Sequence, residues 1–296
     1  MEQISISELH NATHQYLPHI MQITGICDSA LNEQILRYIS DISAVPSEMV
    51  ITKLHSIFSY VNCAGKGNVY CQDFLSYYDQ QAQILFNFCH SYPEWQRKIK
   101  GKLKQSILDS TTQEDVATPT NPAYLNYIGE ILYAAMLLPA ATSGGYEFCG
   151  FDMSLGNGKD ADLSFKRVED GKMIYFDNIS IHGVDISQVE KPNDLYDFLK
   201  RRIDVKTFDK TKGLCKSGYD YIINGVQSEF YVAPILWNET CDFLPYKDAF
   251  QRFAKEMDMN GLFVALKPQR LANGHYYFSI ETIQNILKHW EDQTIQ

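Results

Sequence analysis

The first third of the chain has the hydrophobic spacing of α-helices. Between residues 5 and 110, apolar side chains recur every three or four positions, as at Leu31, Ile35, Ile39 and Ile42. That spacing places them on one face of a helix. Strands are not indicated here, so the pattern predicts four or five helices packed on one another.

A more apolar helix is predicted next. It begins near Pro122, a favoured residue for a first helical turn, and ends at Leu138 because Pro139 cannot continue it. Its only charged residue is Glu130. The residues before it, 111–121, are polar and are therefore the best candidate for a linker.

The spacing then changes to that of strands. Residues 146–155, 161–168 and 173–182 each have the pattern of a strand. The last two are joined by Glu169-Asp170-Gly171-Lys172, and Asp-Gly between two apolar runs is a strong signal for a tight hairpin. We therefore expect these two strands to pair as antiparallel neighbours.

The remainder of the chain mixes both patterns. It predicts a helix over 193–212, a strand over 230–236, a helix over 246–257, strands over 262–266 and 275–279, and a last helix over 281–291. The expected fold class is α plus α/β. A helical domain of residues 1–110 and a linker of residues 111–121 precede a mixed α/β domain of residues 122–296, which has a central sheet and a C-terminal extension.

The composition is that of a globular protein. The 296 residues are 45% hydrophobic, which is enough to bury a substantial core. The chain starts with no apolar leader, and no apolar run reaches the roughly 18 residues that span a bilayer. Seven singly scattered cysteines indicate neither a zinc site nor a disulfide framework. We expect a soluble, cytoplasmic protein with no membrane partner.

The charge distribution gives two opposite indications about nucleic acid. The net charge of −10 weighs against a protein that coats nucleic acid by neutralising phosphates. Basic residues nevertheless cluster within residues 97–104 and 200–216. Each cluster is either a solvated helix face or a surface that contacts a phosphate backbone.

Three acidic residues stand out in the predicted helix and strands. Glu130 lies on the helix, Asp162 on the second strand and Asp177 on the third. A hairpin register that sets Asp162 beside Asp177 would bring two carboxylates together. Converging carboxylate oxygens bind hard divalent cations. Each acid could equally be a solvent-facing residue of an amphipathic element.

The order of these elements resembles the PD-(D/E)XK nuclease superfamily, which has the restriction-endonuclease-like fold. The resemblance covers residues 122–237 and an α-β-β-β-α-β core. It is carried by three segments, Tyr-Ile-Gly-Glu130, Gly-Lys-Asp160-Ala-Asp162-Leu-Ser-Phe and Ile-Tyr-Phe-Asp177-Asn-Ile-Ser. It implies Asp162 and Asp177 as metal ligands, with Glu130 as an auxiliary ligand.

The chain departs from this family at one position. The family has a lysine two residues after the acid of the third strand, where this chain has Ile179. Lys166 is a candidate replacement because, at i+4 from Asp162, it lies on the same strand face. Lys200 or Lys206 on the following helix are others. The tripeptide Asp204-Val-Lys206 matches the motif but lies in a helical pattern, so we interpret the match as a coincidence.

The resemblance implies a metal-dependent enzyme. It predicts hydrolysis of phosphodiester bonds in DNA or RNA with Mg²⁺ or Mn²⁺, with Lys166 as the catalytic lysine beside the three acids. An alternative is a noncatalytic regulator or inhibitor that binds a protein partner and keeps a degenerate form of the fold, which the missing lysine favours. A purely structural assembly protein is a third possibility.

Overall fold

A computed structural model shows an α+β protein, as the sequence predicts. It describes residues 5–44, 56–108, 123–182, 186, 189, 191–237, 244–257 and 261–294. These residues contain ten α-helices and a mixed eight-stranded sheet. None of their helices combines the length and the apolar character that crossing a membrane requires.

The chain forms two compact units. The first unit is Met1–Ala135 with Pro268–Phe278, and the second unit is Met136–Lys267 with Ser279–Gln296. The division between them falls inside a helix. The linker predicted at residues 111–121 lies outside the described residues.

Helices make up the described part of the chain before the sheet. They are α1 (Ile6–Tyr16), α2 (Pro18–Thr24), α3 (Asp28–Ala44), α4 (Ile57–Gly65), α5 (Val69–Phe88), α6 (Pro93–Leu108) and α7 (Ala123–Ser143). The prediction of helices without strands is confirmed for the described residues up to 108, although these form six helices and not four or five. The additional break comes at Pro18, which has no N–H with which to continue α1.

Local sequence sets the ends of the first helices. The Ser5 side chain accepts a hydrogen bond from the Glu8 amide, and the Glu8 carboxylate accepts one from the Ser5 amide, which is a reciprocal capping box at the start of α1. Gly25 ends α2 with a φ of 57°, a left-handed conformation that favours glycine. Leu17, between α1 and α2, is fully buried.

The prediction that Pro139 ends the apolar helix is wrong, because α7 continues to Ser143. Proline removes only the hydrogen bond that its own N–H would donate to the carbonyl one turn back. The final turn is held by other donors. Thr142 Oγ1 donates to the Leu138 carbonyl at 2.7 Å, and Ser143 Oγ donates to the Pro139 carbonyl at 3.0 Å.

The sheet lies in the later part of the chain. Its strands are β1 (Tyr146–Ser154), β2 (Asp160–Arg167), β3 (Met173–His182), β4 (Cys215–Ser217), β5 (Asp220–Ile223), β6 (Val226–Trp237), β7 (Val264–Arg270) and β8 (Tyr276–Thr282). The remaining helices are α8 (Asp194–Thr211), α9 (Lys247–Glu256) and α10 (Ile283–Thr294). The sequence did not predict β4 and β5, which form a short antiparallel hairpin between α8 and β6.

The strand order is β1-β2-β3-β6-β5-β4, with β7 also paired to β6 and β8 paired to β7. The predicted hairpin is confirmed: β2 and β3 pair antiparallel from Leu163–Phe176 to Lys166–Met173. Gly171 turns the chain with a φ of 71°, and Asp170 accepts a hydrogen bond from the Lys172 amide at 3.0 Å. After α8, β6 returns parallel to β3.

One sheet face of β3 lies beneath two apolar clusters of the second unit. Tyr175 belongs to one cluster, together with Tyr221 and Phe230. Ile181 belongs to the other, with residues of α8 and α9. Ile203 of α8 packs against both clusters. Because strand side chains alternate, Asp177 and Ile179, which lie between Tyr175 and Ile181 in this row, point to the same face.

The tip of the β7–β8 hairpin belongs to the first unit. Asp73 on α5 accepts a hydrogen bond from the Tyr276 amide at 2.6 Å and contacts His275 Nδ1 at 3.0 Å. The Phe278 ring packs edge-on against Tyr70, with ring centroids 5.1 Å apart. Phe278 is almost fully buried, so the hairpin tip contributes to the core of this unit.

Candidate functional site

Asp177 is a buried carboxylate in the middle of the sheet. It lies on β3 in the same row as Tyr175 and Ile179, and its exposed fraction is 0%. Its parallel neighbour on β6 is Val232, a member of an apolar cluster. An ionised carboxylate in such surroundings must be paired with positive charge or hydrogen-bond donors to remain ionised.

Two lysines of α8 supply that positive charge. Lys206 Nζ lies 3.0 Å from Asp177 Oδ1, and Lys210 Nζ contacts Asp177 Oδ2. The lysines are four residues apart and so lie on one face of the helix. Neither contact has the alignment of a hydrogen bond. We call Asp177, Lys206 and Lys210 the Asp177 ion cluster.

The two lysines differ in their access to solvent. The Lys206 side chain is 32% exposed, whereas that of Lys210 is 16% exposed. Lys210 Nζ also donates a hydrogen bond to the Asp160 carbonyl at 2.6 Å. Lys210 is therefore bonded to the first residue of β2 as well as paired with Asp177, and Lys206 is the more exposed of the two cations.

Asp162 lies next to this cluster along the strands. The β2–β3 ladder ends at Leu163–Phe176, whose chain neighbours are Asp162 on β2 and Asp177 on β3. Asp162 Oδ2 accepts a hydrogen bond from the Asn178 amide at 2.7 Å. This hydrogen bond places the Asp162 carboxylate at the residue that follows Asp177.

The loop between β1 and β2 holds the end of α8 in place. Asn157 Nδ2 donates hydrogen bonds to the carbonyls of Lys210 and Lys212, at 2.8 and 3.0 Å. Lys159 Nζ lies 3.0 Å from the Asp209 carboxylate. The hydrogen bond from Lys159 holds the pKa of the Asp209 carboxyl below its usual value. These contacts fix the turn of α8 that carries Lys210.

Lys166, the lysine expected to replace the family's motif lysine, is not near Asp177. It is exposed and pairs with Met173 on β3. Met173 is four residues from Asp177, which corresponds to about 13 Å along a strand. Lys206, which the sequence offered as another candidate, contacts Asp177, as does Lys210.

Glu130 and the two aspartates belong to different compact units. Glu130 is in the first unit, whereas Asp162 and Asp177 are in the second. Glu130 Oε2 lies 2.5 Å from Lys102 Nζ, and both side chains are less than one-fifth exposed. This ion pair joins α7 to α6.

Some cations of the basic run of residues 200–216 are engaged by neighbouring side chains. Lys200 pairs with Asp204 at 2.5 Å, and the amine of Lys216 lies over the Tyr221 ring at 5.3 Å. Arg201 and Lys212 are exposed cations of this stretch. The surface that could meet a phosphate backbone is accordingly smaller than the sequence suggests.

Lys210 is the site residue that sequence reasoning did not single out. Its four-residue spacing from Lys206 on a predicted helix is the signal that could have identified it. No protein-family model, curated protein or solved structure matches this chain. Its function must therefore be argued from the geometry.

Proposed function

We propose that the second unit carries a metal-dependent phosphodiesterase site of the PD-(D/E)XK type, which acts on DNA or RNA. The observation that carries the proposal is the 3.0 Å contact between Lys206 Nζ and Asp177 Oδ1. It places an amine beside the third-strand acid, although Ile179 occupies the position of the motif lysine. Lys206 thus takes the role first considered for Lys166.

The order and direction of the elements support this proposal. An apolar helix, α7, precedes the three antiparallel strands β1, β2 and β3, and α8 then leads to β6, which is parallel to β3. This is the α-β-β-β-α-β order of the family. The β4–β5 hairpin is an insertion between α8 and β6.

The acidic residues suit a hard divalent cation. Asp162 and Asp177 offer carboxylate oxygens, which Mg²⁺ and Mn²⁺ prefer as ligands. When bound, the cation would activate water and stabilise the charge that develops on the phosphate. Lys206 would stabilise the same charge, because its ammonium is positively charged, lies beside Asp177 and is partly exposed.

The charge balance of the site indicates when a cation can bind. Asp162 and Asp177 together carry two negative charges, and Lys206 and Lys210 carry two positive charges. Binding of a divalent cation is therefore favoured when negative charge is added to the site or when one of the two ammonium groups moves away from it. A nucleic-acid phosphate adds such charge, so metal and substrate should each raise the affinity for the other.

The test is a cleavage assay on plasmid, single-stranded DNA and RNA with Mn²⁺ or Mg²⁺. We expect Asp162→Ala and Lys206→Ala to lower the rate at least about 100-fold, the magnitude typical for loss of a group that stabilises the transition state. Lys166→Ala is the matched control and should stay within about twofold, because this residue lies far along the strand.

Two results would contradict the proposal. One is that none of the three substrates is cut. The other is that the Asp162→Ala protein cuts as fast as the wild type. If Lys166→Ala removes activity and Lys206→Ala does not, the lysine assignment is wrong. Thermal unfolding of each variant shows whether a loss of activity reflects a loss of fold.

A noncatalytic module is the second candidate, and a specific observation favours it. Both Asp177 oxygens already contact ammonium groups, and Asp162 is bonded to the Asn178 amide. Such a cluster could serve only to tie α8 to the sheet of a regulator or inhibitor that binds a protein partner. That function predicts no shift in melting temperature on addition of Mn²⁺ with an oligonucleotide, whereas the phosphodiesterase predicts an increase.

A further inference from the structure

A group of three metal-ligating side chains lies in the first unit and shares no residue with the proposed phosphodiesterase site. His10 and His14 are on α1, and Asp28 is the first residue of α3. Their ligand atoms all lie within 4.8 Å of one another. Two histidines four residues apart on a helix present their rings on one face, which is a common arrangement for binding zinc.

The distances suit an ion more than direct pairing. Asp28 Oδ1 lies 3.7 Å from His10 Nε2 and 3.9 Å from His14 Nε2. Both distances exceed the range of a hydrogen bond. Ligand atoms around a tetrahedral zinc ion are about 3.4 Å apart, given metal–ligand bonds of about 2.0–2.1 Å. The two Asp28 distances are within about 0.5 Å of that separation. The histidine nitrogens lie within 4.8 Å of each other, and rotation of the exposed His14 side chain can bring them closer.

A hydrogen bond already orients one of the histidines for coordination. His10 Nδ1 lies 2.9 Å from Asn32 Oδ1. Because an amide oxygen only accepts hydrogen bonds, Nδ1 carries the proton, and the lone pair of the neutral ring is on Nε2, the atom that faces Asp28. Ligating histidines in metal sites are held in this way by an outer partner.

Solvent access leaves room for a further ligand. The side chains of His10, His14 and Asp28 are 20%, 45% and 76% exposed. Three protein ligands and an open fourth position are the pattern of a zinc site that also holds water or a second molecule. The two imidazoles exclude a magnesium site, because Mg²⁺ requires oxygen ligands.

We propose that His10, His14 and Asp28 bind one divalent transition-metal ion, Zn²⁺ in the first place, and that Asn32 positions His10 for this role. The ion joins the start of α3 to α1. By the usual order of affinities, Ni²⁺ and Cu²⁺ bind the same atoms. The proposal is independent of the phosphodiesterase site, since it uses none of its residues.

The test is calorimetric titration of the full-length protein, stripped of metal with a chelator, with ZnCl₂ and in parallel with MgCl₂. We expect one Zn²⁺ per chain at this site and no Mg²⁺. His14→Ala should weaken this binding at least about 100-fold, and Asn32→Ala about 10-fold, since outer partners are typically worth a factor of 10 to 100. Co²⁺ should give the visible spectrum of a histidine-ligated site, which His14→Ala abolishes.

Control variants separate this site from other sources of zinc binding. His90→Ala removes an exposed histidine outside the cluster and should bind Zn²⁺ as the wild type does. Asp162→Ala should also retain it, which distinguishes this site from the acidic site. His14 and Asp28 are exposed, so His14→Ala and Asp28→Asn test the site without disturbing the core. Zn²⁺ binding that is absent in the wild type, or unchanged in His14→Ala and Asp28→Asn, overturns the proposal.

Discussion

Two buried aspartates, one in each unit, are stabilised in different ways. Asp79 on α5 is 3% exposed, and its carboxylate accepts hydrogen bonds from the amides of Ile20 at 2.8 Å and His19 at 3.3 Å. His19 Nδ1 adds a contact of 2.7 Å. Asp177 is equally buried but meets only lysine side chains in its ion pairs.

The comparison distinguishes an acid whose partners are fixed by the backbone from an acid whose partners are flexible side chains. The amides that bind Asp79 belong to the first turn of α2, and they cannot leave without unfolding that turn. The amines that contact Asp177 are at the ends of long, flexible chains. A cation can take their place at Asp177, and a phosphate can bind them in place of Asp177. Burial alone therefore does not identify a functional carboxylate, and we expect the type of partner, backbone amide or side-chain amine, to be more informative.

The largest effect is expected from Asp177→Ala. This change leaves Lys206 and Lys210 facing an apolar space without their counter-charge, which should destabilise the protein by about 3 kcal/mol. Because both amines can reach toward solvent, the cost should stay at the lower end of the range for broken buried pairs. Urea denaturation measures the change, and Asp197→Ala on the exposed face of α8 is the control. A cost under about 1 kcal/mol would contradict the importance of the ion cluster.

A smaller effect is expected from Asp79→Ala. The start of α2 loses its acceptor, so that buried amides lack a partner, at a cost of about 2 kcal/mol. Adding metal sharpens the comparison. Mn²⁺ with an oligonucleotide should raise the melting temperature of Asp79→Ala as much as that of the wild type. It should not raise the melting temperature of Asp177→Ala. Equal responses of the two variants would remove the proposed distinction.

The smallest effect concerns Glu229 on β6, a third and only partly exposed acid. Burial opposes ionisation, but hydrogen bonds from Tyr231, Arg167 and Lys172 outweigh it and lower the pKa of Glu229 below its usual value. A lowered folded-state pKa stabilises the protein fully above the pKa of the unfolded chain, about 4.3, and this stability is lost as the pH falls through the folded-state value.

Glu229→Gln tests this pH dependence. Between neutral and acidic pH, the melting temperature of the variant should fall slightly less than that of the wild type. The two curves should converge at low pH, where the wild-type carboxyl is also neutral. Parallel curves throughout would show that the contacts of Glu229 contribute nothing to stability.

The sequence predicted the parts of the site that depend on local signals. Asp170-Gly171 specified the β2–β3 turn, and the turn set the register that leads to Asp162 and Asp177. The local sequence does not show which lysines contact Asp177. These contacts depend on which side of α8 packs on β3. That side is known only from the folded core, where Ile203 packs against the apolar cluster. Distance along β2 then separates Lys166 from Asp177.

The errors in the predicted fold also have physical causes. The strands β4 and β5 are short, and all three residues of β4 are exposed, so the sequence has no apolar alternation there to detect. Pro139 signals a helix end because it lacks an N–H, yet the side chains of Thr142 and Ser143 hold the turn beyond it. The cluster of His10, His14 and Asp28 needs the packing of α1 beside α3, which the spacing of residues does not specify.

The β7–β8 hairpin also sets an order of events during synthesis. Its tip supplies Phe278 and the Asp73 contacts to the first unit, although some 130 residues of the second unit separate the tip from Ala135 in the chain. On the ribosome, the helices of the first unit therefore emerge long before the segment that completes their core. Until that segment arrives, Tyr70 and its apolar neighbours on α5 lack their native cover and are exposed to chaperones and proteases.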